Sequence, residues 1–291
     1  MARRLIVNAD GFGFTRGNNR GIFECLPAGV VTSVSVNVNF PAFEETARLL
    51  AEFPRVSVGV HLDLTVGPCV SDPSDVPDLV DERGEFLGAE FRKRAMGGRI
   101  PHGQMVAELD AQIVRFRSAG RPPTHWDSHQ NQHLYPPFFR AAVEVARRHG
   151  ICRMRTHDHY LFAASTARAL RAGLHLLAHP RRAARYWYSS RLMRRARREG
   201  MQMADRLISP GILDAHRKFH REFWVELFRR LPEGVSEIYC HPGYPDETLA
   251  ANARYVGERL WELDVLRDPA LAECARSEGV ELISFHQLGS P

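Results

Sequence analysis

The chain has few cysteines, almost no lysine and no long apolar run. Its five cysteines are widely spaced and form no CxxC pair, which argues against a disulfide framework or a zinc knuckle. No apolar stretch approaches the ~20 residues that a membrane-spanning helix needs. Near the start only residues 5–7 form an apolar run, too short for a secretion signal. These absences predict a cytoplasmic protein.

Two catalytic motifs are absent as well. No G-x-G-x-x-G follows the first predicted strand, so a dinucleotide-binding fold has no support. No G-x-S-x-G is present, so a serine hydrolase would lack its nucleophile elbow. The 44% hydrophobic and 25% charged residues are ordinary for a globular protein. We expect one domain over residues 1–291, because α/β barrels often use a chain of this length as a single unit.

Short apolar segments alternate with amphipathic ones along the whole chain. Strands are predicted at residues 4–9, 30–40, 56–62, 124–128, 151–155, 236–240 and 280–285. Helices are predicted at residues 18–26, 41–53, 102–118, 136–149, 213–231, 247–263 and 269–277. The alternation predicts βα units and a parallel sheet. The fold class we expect is therefore α/β, a distorted (β/α) barrel of about seven parallel strands.

Positive charge is concentrated in residues 157–212, which we expect to form a basic helical insert within the domain. Residues 151–230 hold 18 basic and 6 acidic side chains, whereas the whole chain has a net charge of only +5. Residues 181–198 contain eight arginines, no acid and three aromatic residues. A solvated basic helix, a membrane or lipid-linked ligand, and nucleic acid all fit this composition. We expect a peripheral contact with the inner membrane through residues 181–198, and no nucleic acid as a partner.

Carboxylate, imidazole and guanidinium side chains follow the C-terminal ends of several predicted strands. They are Asp10, His61, Asp63, Asp127, His129, His133, Arg155, His157 and His241. Active sites of β/α barrels are built at this end of the strands. Each residue alone is more often a cap or a satisfied buried group. The convergence of Asp10, His61, His129 and His241 nevertheless predicts a metal or acid–base site.

The ligand types suggest the chemistry of this site. Two neutral imidazoles plus one carboxylate, with open positions for water, are typical of a hydrolytic divalent metal such as Mg or Zn. The metal lowers the pKa of a bound water and polarises a carbonyl oxygen. A carboxylate would take the proton from that water, and an imidazolium at His241 would donate one to the leaving amine. The set predicts amide or ester hydrolysis.

Four segments resemble the YdjC-like carbohydrate deacetylase family, which includes chito-oligosaccharide deacetylases. They are residues 5–10 (Leu-Ile-Val-Asn-Ala-Asp), 59–62 (Gly-Val-His-Leu), 124–129 (Thr-His-Trp-Asp-Ser-His) and 240–243 (Cys-His-Pro-Gly). The basic segment and the length are most similar to the hopanoid-biosynthesis branch. The resemblance implies a distorted β/α barrel, a divalent metal, and N-deacetylation of an N-acetylglucosamine-bearing glycolipid (hopanoid) or oligosaccharide.

The resemblance also implies a role for each matched residue. His61 and His129 would be metal ligands, and Asp10 would be the base or a third ligand. His241 would be the general acid. The residues placed near the substrate would be Asp127, His133 and Arg155.

One position departs from the family pattern, which reads Asn-Ala-Asp-Asp-Phe-Gly where this chain has Gly11. Asp10 alone cannot easily bind a metal and take a proton at once. Four consequences are open: another acid (Asp127 or Asp63) substitutes, the metal is held weakly by imidazoles and water, turnover is lost, or position 11 was altered in this sequence. A non-catalytic sugar- or lipid-binding barrel is therefore the alternative function. Another metal hydrolase, such as a phosphoesterase, is a third hypothesis.

Overall fold

Parallel strands and helices alternate along the chain in a computed structural model, which describes residues 2–163, 165–210, 218–253 and 255–289. The strands are β1 (Arg3–Phe12), β2 (Ser33–Val36), β3 (Ser57–Leu62), β4 (Trp126–Ser128), β5 (His159–Leu161), β6 (Arg206–Ser209), β7 (Gly234–Cys240) and β8 (Val280–Leu282). The α-helices are α1 (Arg16–Cys25), α2 (Thr46–Ala51), α3 (Glu90–Met96), α4 (His102–Ser118), α5 (Pro136–Arg148), α6 (Thr166–Ala178), α7 (Pro180–Arg198), α8 (Arg221–Arg230), α9 (Glu247–Asn252), α10 (Glu258–Leu266) and α11 (Pro269–Ser277).

The strands form one curled sheet in the order β4-β3-β2-β1-β7-β6-β5, and β8 pairs with the beginning of β1. All the strand pairs of this sheet are parallel within the described residues. The seven strands of this order make a half-barrel with helices around it, and β8 is added beside β1. This arrangement confirms the predicted α/β barrel class. Parallel strands end at a common edge, so the polar residues that follow them are brought together.

Strand β1 lies in the middle of the sheet because both of its faces are apolar. Leu5, Ile6 and Val7 are completely buried, as expected for a parallel strand that is covered on both sides. Thr15 then caps the N-terminus of α1, since its side chain accepts a hydrogen bond from the Asn18 amide at 3.1 Å. The β1–α1 connection therefore fixes the backbone around Asp10.

The structure corrects the predicted basic insert. Strands β5 and β6, both inside residues 157–212, pair with each other, and β6 pairs with β7. Helices α6 and α7 are therefore the crossover between two strands of the sheet. The short strands were missed because they flank a long arginine-rich segment whose composition indicates helix. Residues 211 and 212 of the predicted insert lie outside the described residues.

Several element boundaries also differ from the prediction. Residues 151–155 form only isolated bridges, Arg153 with Gln202 and Met154 with Trp126, instead of a strand. The predicted helix at 247–263 is divided into α9 and α10, and α3 lies between residues 62 and 102, where no element was predicted. Helix α8 begins at Arg221, while residues 213–217 of the helix predicted there lie outside the described residues. Among the described helices, none combines the length and the apolar character needed to cross a membrane.

Candidate active site

A cavity of about 950 Å³ lies at the C-terminal ends of the central strands. Its wall includes Asp10 from β1, His61 from β3, His129 after β4 and His241 after β7. The structure therefore brings together the four residues on which the predicted site depends.

Behind Asp10 lies a buried guanidinium that is shared by three carboxylates. Arg155, 1% exposed, donates from Nη1 to Asp10 Oδ2 at 2.7 Å and from Nη2 to Asp10 Oδ1 at 2.5 Å. Its Nε donates to Glu237 Oε1 at 2.9 Å, and its Nη2 lies 2.8 Å from Asp127 Oδ2. Two-point pairing of this kind fixes the orientation of the Asp10 carboxylate.

The shared cation affects the two other carboxylates differently. Burial opposes ionisation of Asp127, but the charges of Arg155 and His61 outweigh it and hold the pKa of Asp127 well below its usual range. Burial raises the pKa of Glu237 to about 7, against the lowering effect of Arg155. Around neutral pH, therefore, Asp127 is ionised and Glu237 is close to its midpoint.

Asp127 also orients His61. The ring nitrogen Nδ1 of His61 donates to Asp127 Oδ1 at 2.7 Å, which leaves Nε2 as the nitrogen available to a ligand. Burial favours the neutral imidazole, but the neighbouring Asp127 carboxylate raises the pKa of His61. A carboxylate on the far side of an imidazole is the arrangement that commonly orients metal-binding histidines.

His129 carries a buried nitrogen without a partner. Its Nε2 has no hydrogen bond within the described part of the chain, and its ring packs edge-on against His61 with centroids 5.6 Å apart. Burial lowers the pKa of His129, so the ring is neutral and presents a lone pair. Unpaired buried nitrogens are rare in native proteins unless a ligand, ion or water meets them.

These residues fit a divalent cation. Asp10, His61 and Asp127 each offer an atom within 4.8 Å of the others, so this buried trio could hold a metal. The trio contains Asp127 where the sequence predicted His129. His129, the second imidazole ligand that the sequence predicts, is not part of this trio, and its Nε2 is buried without a partner among the described residues. Imidazole nitrogen with carboxylate oxygen suits a metal such as zinc.

His241 lies next to the Asp10 carboxylate, near the same oxygen that accepts from Arg155 Nη1. Its Nε2 lies 3.9 Å from Asp10 Oδ2, and its Nδ1 is buried without a partner among the described residues. Burial, together with the charges of Lys218 and Arg259, holds the pKa of His241 well below its usual range. The resting residue is therefore a neutral imidazole, whereas the sequence analysis assigned it an imidazolium.

The three predicted substrate contacts do not reach the cavity wall. Asp127 and Arg155 lie behind His61 and Asp10, and they orient those two residues. His133 is also completely buried, where it bonds with Ser128 and its ring packs on another histidine. The geometry thus gives Asp127 and Arg155 positioning contacts in place of substrate contacts.

Sequence reasoning missed Glu237 and a charged face of α10. Arg259 and Glu262 lie in that helix on the same face as the buried Leu263 and Leu266. Glu262, Leu263 and Leu266 follow Arg259 by three, four and seven residues. This helical spacing is the signal that could have revealed the two charged residues, because it places them on an apolar helical face. Arg259 lines the cavity, and the Glu262 carboxylate bonds with the phenol of Tyr255 at 2.8 Å.

Comparison with known proteins extends over nearly the whole chain. A family model described as YdjC-like protein matches residues 4–277. A carbohydrate deacetylase from Geobacillus stearothermophilus is 34% identical over 288 residues, covering 99% of this chain and 98% of the relative. A chitooligosaccharide deacetylase from Yersinia pestis (strain Pestoides F) is 31% identical over 289 residues, covering 98% of this chain and 99% of the relative. A crystal structure from Enterococcus faecalis V583, described as a cellobiose-phosphate cleavage protein, has a TM-score of 0.74 at 27% identity, with 99% of both chains covered.

Proposed function

Since the chain belongs to the YdjC-like family, we propose that it is a carbohydrate deacetylase that hydrolyses the N-acetyl group of an N-acetylated sugar. The observation that carries this proposal is the convergence of Asp10, His61, His129 and His241 on one cavity at the strand ends. Carboxylate and imidazole groups in one cavity can accept and donate the protons that amide hydrolysis requires.

The site residues divide the work of proton transfer. A divalent cation held by His61 and His129 would polarise the acetyl carbonyl and acidify the attacking water, which leaves Asp10 as the base. Asp10, held by Arg155, accepts the proton of that water. Neutral His241 takes this proton from Asp10 and gives it to the amine as the C–N bond breaks. The 3.9 Å between Asp10 Oδ2 and His241 Nε2 exceeds a direct hydrogen bond, but such contacts commonly tighten when substrate binds.

We expect metal-dependent release of acetate from N-acetylglucosaminyl substrates. The measurement compares acetate formed with added Zn²⁺ or Mg²⁺ and with chelator, for the natural chain and for Gly11→Asp. Release by the natural chain, lost with chelator, supports the proposal. Release only by Gly11→Asp would favour the non-catalytic sugar- or lipid-binding barrel, because the carboxylate missing beside Asp10 would then be needed for turnover. No release by either chain contradicts a deacetylase.

We propose further that the sugar is carried by a lipid, a hopanoid in the branch that the sequence resembles. Support comes from an exposed apolar face on α6. Leu170, Leu174 and Leu177 are 65%, 56% and 81% exposed and are spaced along one side of the helix. In α7, Trp187 is 62% exposed among arginines. Exposed leucine and tryptophan beside arginine are typical of helices that lie on anionic membrane surfaces.

We therefore predict binding to anionic vesicles through α6 and α7. Leu174→Ser with Leu177→Ser should weaken binding to phosphatidylglycerol vesicles about tenfold or more, because exposed leucines gain free energy when they enter the bilayer interface. Arg181→Gln with Arg185→Gln should weaken it by roughly 1 kcal/mol per charge. Vesicle co-sedimentation measures both. Arg230→Gln, an exposed change on α8, is the control, and equal binding by all variants would remove the membrane contact.

A further inference from the structure

Gly11 leaves one corner of the cavity without a side chain. Its φ of +93° lies in the left-handed region that glycine adopts without strain. A β carbon at this position would lie 3.2 Å from Asn18 Nδ2 and 3.5 Å from Arg259 Nη1. Two nitrogen atoms therefore border position 11, and of these Asn18 Nδ2 already donates to the Gly11 carbonyl at 3.2 Å.

Arg259 brings a buried positive charge to this corner. Its side chain is only 6% exposed, and its Nε donates to the Tyr255 carbonyl at 2.9 Å. The Nη1 atom is buried and has no hydrogen-bond partner within the described residues. Because a buried guanidinium nitrogen is costly to leave unpaired, this atom indicates a ligand that the described residues do not supply.

Two carboxylates whose charges act on Arg259, those of Asp10 and Glu262, are also paired with other cations. Both oxygens of Asp10 accept from Arg155. Glu262 lies on the same helix as Arg259, but its Oε1 is 2.6 Å from Lys218 Nζ and its Oε2 accepts from the His241 amide. Each of these two acids already has a cationic partner, and Arg259 is a residue of the cavity wall.

We propose that Arg259, beside Gly11, forms a carboxylate-binding subsite that takes up the acetate released in this cavity. A guanidinium is planar and presents N–H groups that match carboxylate oxygens. Arg259 and Asp10 line the same cavity, and in the proposed reaction the acetyl C–N bond breaks beside Asp10, so the new carboxylate forms in the cavity that Arg259 lines. The choice of acetate as the ligand rests on the proposed function. The presence of a carboxylate-binding subsite rests instead on the unpaired Nη1 of Arg259.

The test measures binding of sodium acetate by isothermal titration calorimetry or by NMR, with neutral acetamide as the probe of the same shape. The full chain is used as purified and again after chelator treatment, so that acetate held by a metal is separated from acetate held by Arg259. We expect acetate to bind more tightly than acetamide in both preparations. Arg259→Gln should weaken acetate about tenfold or more and leave acetamide unchanged. Arg230→Gln, an exposed change on α8, should alter neither.

A second pair of variants tests the same subsite with Arg259 intact. Gly11→Ala and Gly11→Asp both add a β carbon at positive φ, but only the aspartate adds a carboxylate beside Nη1. We expect Gly11→Asp to lose at least tenfold more acetate affinity than Gly11→Ala. Equal affinity for acetate and acetamide, or equal losses in the two Gly11 variants, would overturn the proposal. Acetate binding requires no turnover, so a chain that binds acetate but releases none would contradict only the proposed function.

Discussion

Replacing Arg155 with methionine is expected to lower the free energy of unfolding by about 3–5 kcal/mol, because breaking a buried ion pair leaves uncompensated charge. Three buried carboxylates share this one guanidinium: Asp10, Asp127 and Glu237. Methionine fills similar volume but supplies no charge and no hydrogen bond. The decrease in the free energy of unfolding should therefore far exceed the decrease caused by removing a surface arginine.

Urea unfolding at several pH values measures this effect. The loss of unfolding free energy caused by Arg155→Met should become smaller as the pH falls. The pKa of Glu237 is raised to about 7, so this carboxyl becomes neutral in the folded protein at lower pH and its charge no longer has to be balanced by Arg155. The control is Arg230→Met, because Arg230 pairs with Glu226 on an exposed helix surface and is expected to contribute less than 1 kcal/mol. Similar losses in the two variants would contradict a charge-balancing role for Arg155.

The barrel could be predicted from the sequence where hydrophobic periodicity and strand length agree. The prediction for residues 102–118 matches α4, and residues 56–62 nearly match β3, since each carries an uninterrupted apolar pattern. Strands β5 and β6 have three and four residues and flank the arginine-rich crossover. Their assignment depends on the pairing of β5 with β6 and of β6 with β7, which local composition does not reveal.

The cavity residues could be predicted because parallel strands end at one edge. Asp10, His61, His129 and His241 each follow or end a strand, so their order along the chain was enough to place them together. The strand order could not predict that Arg155 lies behind Asp10 and outside the cavity, because the depth at which a side chain is buried depends on side-chain packing. It also could not tell that Gly11 faces Arg259, which comes from a helix near the other end of the chain.

His61→Ala and His129→Ala are each expected to abolish retention of a divalent metal and to reduce acetate release by at least about a hundredfold. Each change removes an imidazole nitrogen of the proposed ligand set. The measurement is metal content by mass spectrometry after dialysis against dilute Zn²⁺, followed by the acetate assay. His102→Ala is the matched control, because that histidine is exposed and pairs with Glu144 away from the cavity. Unchanged metal content in both variants would contradict the proposed site.

The variant Asp127→Asn tests whether Asp127 binds the metal directly or only positions the proposed ligand His61. If Asp127 acts through His61, the asparagine variant should keep the metal with affinity lowered about 10- to 100-fold, as is usual for a residue behind a ligand. If Asp127 bound the metal directly, its loss should equal that of His61→Ala. We expect the smaller loss, because Asp127 Oδ1 is occupied by His61 and Oδ2 accepts from Ser35 at 2.9 Å and lies 2.8 Å from Arg155. Each Asp127 oxygen therefore already has a partner in the protein, whereas His129 Nε2 has none among the described residues.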